Sequence, residues 1–353
     1  MTASAFTRRA MLGSSLSLAA CKAPAQSQPI PPLPPLKAIA PFPMGTCVMT
    51  GQLQEPAFTR VLTSQFGQIT AEWQMKMESI LKDDGGFDFR DADALAAFAK
   101  ANGLRLHGHT LIWYSQDRPA FQKIDGSGAV FANAYRNYIL AVMGRYRGQA
   151  VSWDVVNEPV AEDGDGYRDC LWRRNLGMDY VAHAFHHARE ADPRATLFLN
   201  DYHLESRPKK RASFLALAEQ LLKAGAPLDG LGTQSHLLSG LAPGAIKTAM
   251  RDLASLGLPI HVSEFDCSTQ VGPFGKQARR DGQVRLITEM AEAFMALPAR
   301  QRFAFTIWGV RDKDSWLRRP PNAGDGTDEP LLFADDGRPK RMTQAFVNAV
   351  TRG

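Results

Sequence analysis

Short apolar runs alternate with longer amphipathic stretches along most of the chain. The run at residues 151–158 is rich in valine, ends in Glu158 and is followed by Pro159. Short β-branched and apolar runs favour a buried strand over a helix, and proline cannot donate a hydrogen bond to a sheet. We therefore expect this strand to end at Glu158. Stretches such as 91–101 repeat apolar residues with the helical period and predict amphipathic helices.

Strands and helices alternate eight times in this pattern. Strands are expected at residues 42–49, 67–72, 105–113, 151–158, 196–202, 230–236, 259–266 and 303–310. Helices are expected at residues 55–65, 91–101, 132–147, 178–191, 208–224, 243–256, 279–296 and 342–350. Strict alternation of this kind predicts an α/β protein with a single (β/α)8 TIM barrel rather than a doubly wound sheet.

Four connections that follow predicted strands are longer than a barrel requires. They span residues 76–89, 114–131, 267–277 and 309–336. Connections that follow strands lie on the catalytic face of a parallel barrel, and long loops there usually contact substrate.

The first 21 residues have the pattern of an export signal rather than of a folded domain. Arg8 and Arg9 precede a modest apolar segment at 11–20, which is too short to span a bilayer and resembles a twin-arginine signal. The small residues before Cys21 resemble a bacterial lipobox, so we expect cleavage before Cys21 and lipidation of that residue. An ordinary signal peptide with a chance cysteine is the alternative. Either way the sequence predicts an exported bacterial protein, periplasmic or at the cell surface.

Residues 22–40 form the next predicted unit, a proline-rich linker. Its segment 29–35 contains five prolines, which favour an extended and semi-rigid spacer. Such a spacer would hold a folded domain away from the membrane surface. Residues 41–353 are then the domain itself, and their number suits one (β/α)8 barrel.

Charge and cysteine content argue against nucleic-acid binding and against a disulfide-stabilised fold. The formal net charge of the whole chain is +5, and its basic clusters at 209–211 and 279–280 have no interleaved aromatic residues. We therefore expect no nucleic-acid binding. Apart from the predicted lipidation site, Cys47, Cys170 and Cys267 remain. An odd number gives no disulfide framework, so buried thiols are expected.

Two of the predicted strands carry a glutamate at or near their C-terminal ends. Glu158 ends one strand, and Glu264 follows the short apolar run that begins at Pro259. The C-terminal ends of the strands hold the chemistry of parallel barrels. Two carboxyls that face each other across a cleft are the minimum equipment for cleaving a glycosidic bond. A structural salt bridge would explain either glutamate alone, but the pair favours a glycoside hydrolase.

Two stretches carry a family resemblance. Residues 153–159 (WDVVNEP) and 261–266 (HVSEFD) resemble two signatures of glycoside hydrolase family 10, mainly endo-1,4-β-xylanases of a large clan of retaining enzymes. Further similar stretches follow in family order at residues 70–76, 108–113, 232–236, 306–310, 314–316 and 330–333. A lone Asn-Glu-Pro is weak evidence, whereas the ordered set covers nearly the whole predicted domain.

The resemblance implies an endo-acting, retaining enzyme that cleaves β-1,4-xylosidic bonds in xylan. It implies Glu158 as general acid/base, Glu264 as nucleophile and His236 as the partner of the nucleophile. The positions that match sugar-binding family residues are Glu72, Lys76, His109, Trp113, Asn157, Gln234, His236, Trp308 and Trp316. Asp154 and Asp266 are expected to orient these motifs. No cofactor or metal is implied, since two carboxylates suffice, and a monomer is expected whose partners are a polysaccharide and, through Cys21, a membrane.

Three positions depart from the family pattern. Trp73 stands where the family usually has an asparagine that reaches a sugar beyond the cleavage point, and an indole cannot copy the paired donor and acceptor of an amide. Met77 replaces a usual tryptophan, and Tyr114 stands where a histidine is frequent. The donor side of the cleft is therefore altered. Xylan remains the expected substrate, with another β-1,4-glycan cut by a same-clan glycosidase as the alternative.

Two rival functions belong to other classes. His107 and His109 lie on one face of a predicted strand, and together with His236 and an aspartate they could form the site of a metal-dependent hydrolase. In barrel hydrolases of that class such a histidine pair belongs to the first strand, whereas here it lies on the third. His261 lies early in its strand, away from the catalytic face. The second rival is a non-catalytic xylan-binding lipoprotein. The retention of both carboxylates argues against it.

Overall fold

The computed structural model describes residues 33–124, 128–270 and 275–352. Within these ranges, nine strand segments form parallel pairs around a common centre. The strands are β1 (Met44–Val48), β2 (Gln68–Ala71), β3 (Arg105–Trp113), β4 (Ala150–Asn157), β5 (Thr196–Asp201), β6 (Gly230–Thr233), β7 (His236–Leu238), β8 (Ile260–Ser268) and β9 (Arg302–Ile307).

The strand pairings close the sheet into a barrel. Strands β1 to β6 pair in sequence order, β6 pairs with β8, and β8 pairs with β9. The pairing of β9 with β1 completes the ring. The short strand β7 pairs with the end of β8, where His236 lies opposite Asp266. The predicted eight-stranded (β/α)8 barrel is therefore confirmed.

Helices follow the strands around the outside of the barrel. They are α1 (Leu36–Ile39), α2 (Pro56–Gln65), α3 (Met77–Ile80), α4 (Arg90–Ala101), α5 (Pro119–Gln122), α6 (Ala129–Arg145), α7 (Leu171–Leu176), α8 (Tyr180–Ala191), α9 (Pro208–Lys223), α10 (Ala245–Ala254), α11 (Lys276–Met295) and α12 (Arg341–Arg352). Short 3₁₀ turns occur at Thr50–Gln54, Ala299–Gln301, Asp312–Asp314 and Trp316–Arg318. Two of these turns and helices α3 and α5 lie in the long connections predicted on the catalytic face.

The sixth predicted strand, 230–236, is broken in the structure. Strand β6 ends at Thr233, and Ser235 has a left-handed backbone with φ of 60°. A non-glycine residue rarely adopts this conformation, and it interrupts the regular ladder. The break redirects the chain at Gln234, whose side chain then lies in the cleft described below.

The packed part of the chain begins before the predicted domain boundary at residue 41. Helix α1 lies inside the predicted linker, and Leu36 is fully buried. The backbone N–H of Leu36 donates to Gln65 at 3.1 Å, and the Lys37 ammonium donates to the Thr63 carbonyl at 2.6 Å. The end of the predicted linker therefore packs against α2. The predicted signal and Cys21 lie outside the described residues.

Two glycines allow side chains of neighbouring strands to pack closely against the backbone. A Cβ at Gly108 would lie 2.2 Å from the ring of Trp153, which is fully buried. A Cβ at Gly232 would lie 2.3 Å from the side-chain oxygen of Asn200. Larger residues at these positions would displace a core indole and an active-site amide.

Cys47, Cys170 and Cys267 are free and buried, as predicted. Among the described residues, none of the helices is both long and apolar enough to traverse a bilayer.

Candidate active site

The strand ends and the loops after them surround an open cleft of about 420 Å³. Every residue predicted to act in catalysis or sugar binding lines this cleft. These residues are Glu72, Lys76, His109, Trp113, Asn157, Glu158, Gln234, His236, Glu264, Trp308 and Trp316. Trp73, Tyr114, Tyr202 and His203 line it too. The roles of the predicted residues in catalysis and sugar binding stay predictions.

Glu158 follows the last residue of β4 and is nearly buried. Its backbone is left-handed, with φ of 58°, and its N–H donates to the Asn200 carbonyl at 2.7 Å. The carboxyl oxygen Oε1 accepts hydrogen bonds from the amides of Gln234 at 2.9 Å and Asn157 at 3.2 Å. Strained backbone of this kind concentrates at functional sites, where surrounding contacts hold it.

Asn200, near the end of β5, connects the two glutamates. Its side-chain N–H₂ group donates to Glu264 Oε1 and to Asn157 Oδ1, both at 2.9 Å. Its own oxygen accepts from the Ser263 hydroxyl at 2.8 Å, which fixes the orientation of the amide. Because Asn157 in turn contacts Glu158, one chain of amides joins both carboxyls.

Glu264 lies within β8 and is 4% exposed. Its Oε2 faces the Nε2 of His236 at 3.4 Å. Burial by itself raises the pKa of Glu264, but the charges of His109, His236 and Lys76 outweigh burial and hold the pKa below its usual value. The carboxyl is therefore an anion at neutral pH.

His236, the first residue of β7, is held in the charged form. Its Nδ1 lies 2.9 Å from Asp266 Oδ2. The same aspartate oxygen accepts a hydrogen bond from the Trp316 indole at 2.7 Å. Burial lowers the pKa of His236, but Asp266 and Glu264 outweigh this effect and raise it to about 10. The imidazolium thus stabilises the Glu264 anion.

His109 reaches the cleft floor from β3 and is oriented from below. Its Nδ1 lies 2.8 Å from Oδ2 of the fully buried Asp154. Burial raises the pKa of Asp154, but His107 and His109 outweigh burial and keep the pKa well below its usual value. The ring of Trp308 meets His109 edge-on, with centroids 5.4 Å apart. Asp154 and Asp266 thus contact cleft histidines, as expected for orienting residues.

At one end of the cleft, the Lys76 ammonium lies between two indole rings. Its Nζ is 4.7 Å from the Trp73 ring centroid and 4.8 Å from that of Trp113. Such cation–π contacts fix the position of a charged side chain. Burial lowers the pKa of Lys76, and the negative charges of Glu264 and Glu72 oppose this effect.

Next to Lys76, Glu72 is nearly buried and forms an ion pair with Arg319. We call the end of the cleft formed by Glu72, Trp73 and Lys76 the Glu72 end. Arg319 was not predicted as a site residue, because no sequence pattern relates it to a strand near the start of the chain.

Another part of the cleft, which we call the Tyr202 end, is lined by Tyr202, His203 and Tyr114. Tyr114 was expected to alter the donor side, but it lies next to Tyr202, because both contact the Arg168 guanidinium. Arg168 donates to the Tyr202 hydroxyl at 2.9 Å, and its guanidinium carbon lies 3.9 Å from the Tyr114 ring centroid. Its Nε also donates to the Glu158 carbonyl at 3.0 Å.

Asn200, Tyr202 and His203 were not predicted from the sequence as site residues. The signal for them was present, since the fifth predicted strand also ends in polar and aromatic residues on the catalytic face.

One group among the described residues could hold a metal ion, formed by His107, Asp154 and His261. All three are buried in the barrel below the cleft. His107 Nδ1 lies 2.7 Å from the Ser152 hydroxyl, and His261 Nε2 lies 2.8 Å from the Thr306 hydroxyl. Asp154 Oδ2 lies 3.0 Å from His107 Nε2. The side chains of this group therefore contact one another and neighbouring hydroxyls of the protein.

The histidine cluster considered for a metal-dependent hydrolase is divided between two sites. His109 contacts Asp154, whereas His236 contacts Asp266 and Glu264.

Two buried carboxyls from different strands, linked by amides at the C-terminal end of a parallel barrel, are the arrangement expected of a glycoside hydrolase. The profile of glycosyl hydrolase family 10 matches residues 36–349. The chain therefore belongs to this family, as its motifs indicated.

Characterised relatives agree with this assignment. Endo-1,4-β-xylanase B of Paenibacillus barcinonensis is 35% identical over 316 residues, which cover 85% of this chain and 92% of that protein. Endo-1,4-β-xylanase A of Cellvibrio japonicus (strain Ueda107) is 32% identical over 352 residues, covering 90% of this chain. The chain spans 56% of the length of that second relative.

Solved structures show the same fold. The crystal structure of xylanase XynB from Paenibacillus barcinonensis, complexed with a conduramine derivative, has a TM-score of 0.83 and 31% identity. The match covers 90% of this chain and 99% of that one. A thermostable mutant of xylanase Xyn10A from Cellvibrio japonicus gives a TM-score of 0.82 with 31% identity, over 90% of this chain and 99% of that one.

Proposed function

We propose that the protein hydrolyses β-1,4-xylosidic bonds within xylan with retention of configuration. Glu264 is the nucleophile and Glu158 the general acid and base. The observation that carries this proposal is the pair of buried carboxyls joined through Asn200 and Asn157. Family membership and relatives named endo-1,4-β-xylanases support the choice of substrate.

In the first step the Glu264 carboxylate attacks the anomeric carbon of the sugar. The bond from that carbon to the bridging oxygen breaks, and Glu158 donates its proton to the departing oxygen. The enzyme then carries a covalent glycosyl ester on Glu264. His109, His236 and Lys76 favour the anionic carboxylate before attack, and its negative charge then stabilises the positive charge that develops at the anomeric carbon.

In the second step water replaces the ester. Glu158 has given its proton to the leaving group in the first step, so it is a carboxylate that can now act as a base. Glu158 takes a proton from water, the resulting hydroxide attacks the anomeric carbon, and the Glu264 carboxylate leaves. Two inversions at the same carbon give net retention.

The two ends of the cleft take the two halves of the substrate. Following the family resemblance, the Glu72 end is the donor side, which holds sugars on the non-reducing side of the scissile bond. The Tyr202 end holds the leaving group, and its aromatic rings offer stacking faces to sugars. His109, Asn157 and Gln234 bind hydroxyls at the reacting sugar, while Trp113, Trp308 and Trp316 form apolar walls.

Reducing-sugar release from xylan, arabinoxylan, glucuronoxylan, β-glucan and mannan tests the proposal. The wild type is compared with Glu264→Gln and Glu158→Gln. Cleavage of xylans that depends on both glutamates is the expected result. Cleavage of mannan or β-glucan instead, with the same dependence, would establish a same-clan glycosidase. Binding of xylan without cleavage would establish the non-catalytic alternative.

We also propose that the protein is exported and anchored through a lipid on Cys21. The twin arginines and the small residues before the cysteine support this proposal. Fractionation of the native host, with mass spectrometry of the N-terminal peptide, checks it. Wild-type protein is expected in the membrane fraction with a lipid-modified Cys21. Cys21→Ala protein should be soluble, and a membrane-bound variant or an unmodified Cys21 would contradict the proposal.

A further inference from the structure

Arg319 is placed by the same turn that forms part of the cleft wall. The 3₁₀ turn Trp316–Arg318 begins with the indole that contacts Asp266, and Arg319 directly follows it. The turn is held from the other side, because Arg318 donates to the Asp328 carbonyl at 2.6 Å and pairs with Asp335 at 2.7 Å. Arg319 therefore occupies a fixed position beside the cleft.

The Arg319 guanidinium lies against the Glu72 carboxylate. One of its terminal nitrogens donates to Glu72 Oε1, and the other lies 3.0 Å from the Met49 sulfur. The Glu72 side chain is 8% exposed, whereas that of Arg319 is 34% exposed. The arginine thus lies between the buried carboxylate and solvent.

The partners of Glu72 control its charge. Burial raises the pKa of Glu72, and the charges of Arg319 and Lys76 offset this rise only in part. The ion pair with Arg319 is consequently a main source of stabilisation for the anion in this buried position.

A sugar on the donor side meets Glu72 already paired with Arg319, and Trp73 in place of the usual asparagine. A hydroxyl that donated to Glu72 Oε1 would compete there with the Arg319 guanidinium, which brings a full positive charge as well as a hydrogen bond, whereas the hydroxyl is neutral. At the neighbouring position Trp73 offers one N–H donor instead of the paired donor and acceptor of an amide. Its indole is 42% exposed and covers the Lys76 ammonium on one side.

We propose that Arg319 is a specificity-determining residue which, together with Trp73, limits the Glu72 end of the cleft to one firmly bound sugar unit. The inference rests on the proposed function, because it assigns the Glu72 end to the donor side. Sugars beyond the first donor unit then contribute little affinity. Which glycosidic bond of a short oligosaccharide is cleaved then depends mainly on the sugars bound at the Tyr202 end.

The position of the cleaved bond in xylopentaose labelled at its reducing end tests the proposal. The length of the labelled product shows how many sugar units occupied the donor side. The wild type is expected to release mainly labelled xylotetraose, with one donor unit. In Arg319→Met the ratio of labelled xylotriose to xylotetraose should rise at least about fivefold. Arg338→Met, which removes an exposed arginine paired with Asp336, is the matched control and should leave the ratio unchanged.

A second variant shows whether Arg319 acts through Glu72. The double change Arg319→Met with Glu72→Gln removes the freed carboxylate, so the ratio should return toward that of the wild type. A general loosening of the loop would instead preserve the gain in the double variant. A ratio in Arg319→Met within about twofold of the wild type would overturn the proposal. So would a fall in the ratio, because Arg319 would then itself be a sugar ligand.

The test separates this inference from the proposed function. A wild-type protein that cleaves no xylo-oligosaccharide would contradict the proposed function. Titration calorimetry of the same variants with xylotetraose then decides the inference, which requires Arg319→Met to bind at least about fivefold more tightly than the wild type. Equal or weaker binding by Arg319→Met would overturn it.

Discussion

The surroundings of Glu158 and Glu264 differ, although both carboxyls lie at the same end of the barrel. Among the described residues, the Glu158 carboxyl accepts hydrogen bonds from two neutral amides, those of Asn157 and Gln234. The Glu264 carboxyl instead has an amide and an imidazolium beside it, with Lys76 as a further source of positive charge. Identical side chains can therefore take different roles, because neighbouring charge stabilises the anion at one position.

The comparison predicts that removing the Glu264 carboxylate has the largest effect. Glu264→Gln should lower kcat on xylan by at least about 10⁴-fold, because no other group can form the covalent intermediate. Azide added to Glu264→Ala should restore turnover of an activated aryl β-xyloside and give a glycosyl azide of inverted configuration. An azide product of retained configuration would assign the nucleophile elsewhere.

Replacement of Glu158 should give a smaller effect that depends on the leaving group. Glu158→Gln should lower kcat on xylan by about 10²–10⁴-fold, the usual contribution of a general acid. Formation of the glycosyl-enzyme from a dinitrophenyl β-xyloside needs no proton donor, so its pre-steady-state burst should persist in this variant. Loss of the burst together with the xylan activity would show that Glu158 does not serve as the acid.

The amide between the two carboxyls should have an intermediate effect. Asn200→Ala removes a hydrogen bond to the charged Glu264, which corresponds to about 1.5–3 kcal/mol or roughly 10–100-fold in kcat/KM. Asn102→Ala, at the exposed end of α4, is the control and should be silent. Wild-type rates in Asn200→Ala, with an unchanged melting temperature, would mean that the amide chain has no catalytic role.

The charge of His236 should alter the pH dependence more than the maximum rate. His109, His236 and Lys76 together hold the pKa of Glu264 below its usual value, so His236→Gln should raise that pKa. The acidic limb of the kcat/KM profile should therefore move to higher pH, while activity is better preserved at neutral pH. His187→Gln, on helix α8, is the control. An unmoved acidic limb would show that His236 does not control ionisation of the nucleophile.

Much of the fold and the catalytic pair could be predicted from local sequence. At residues 151–159, for example, a short apolar run predicts a buried strand, and Pro159 ends it because proline cannot donate a hydrogen bond to the sheet. The break after Thr233 was not predicted, because the left-handed backbone of Ser235 is maintained by tertiary contacts rather than by local preference. The start of packing at Leu36 was missed for a similar reason, since its hydrogen-bond partner on α2, Gln65, follows 29 residues later.

The amino-acid sequence by itself determined the alternation of strands and helices and the positions of Glu158 and Glu264 at or near strand ends, which follow from local period and from the fixed geometry of parallel barrels. The resemblance of its motifs to those of a known family added most of the residues that line the cleft. The tertiary structure decided which neighbours surround each carboxyl. Asn200 and Arg319 lie far from their partners along the chain, and only closure of the barrel and its loops brings Asn200 to Glu264 and Arg319 to Glu72. Charge stabilisation depends on such distances in space, which residue order does not specify.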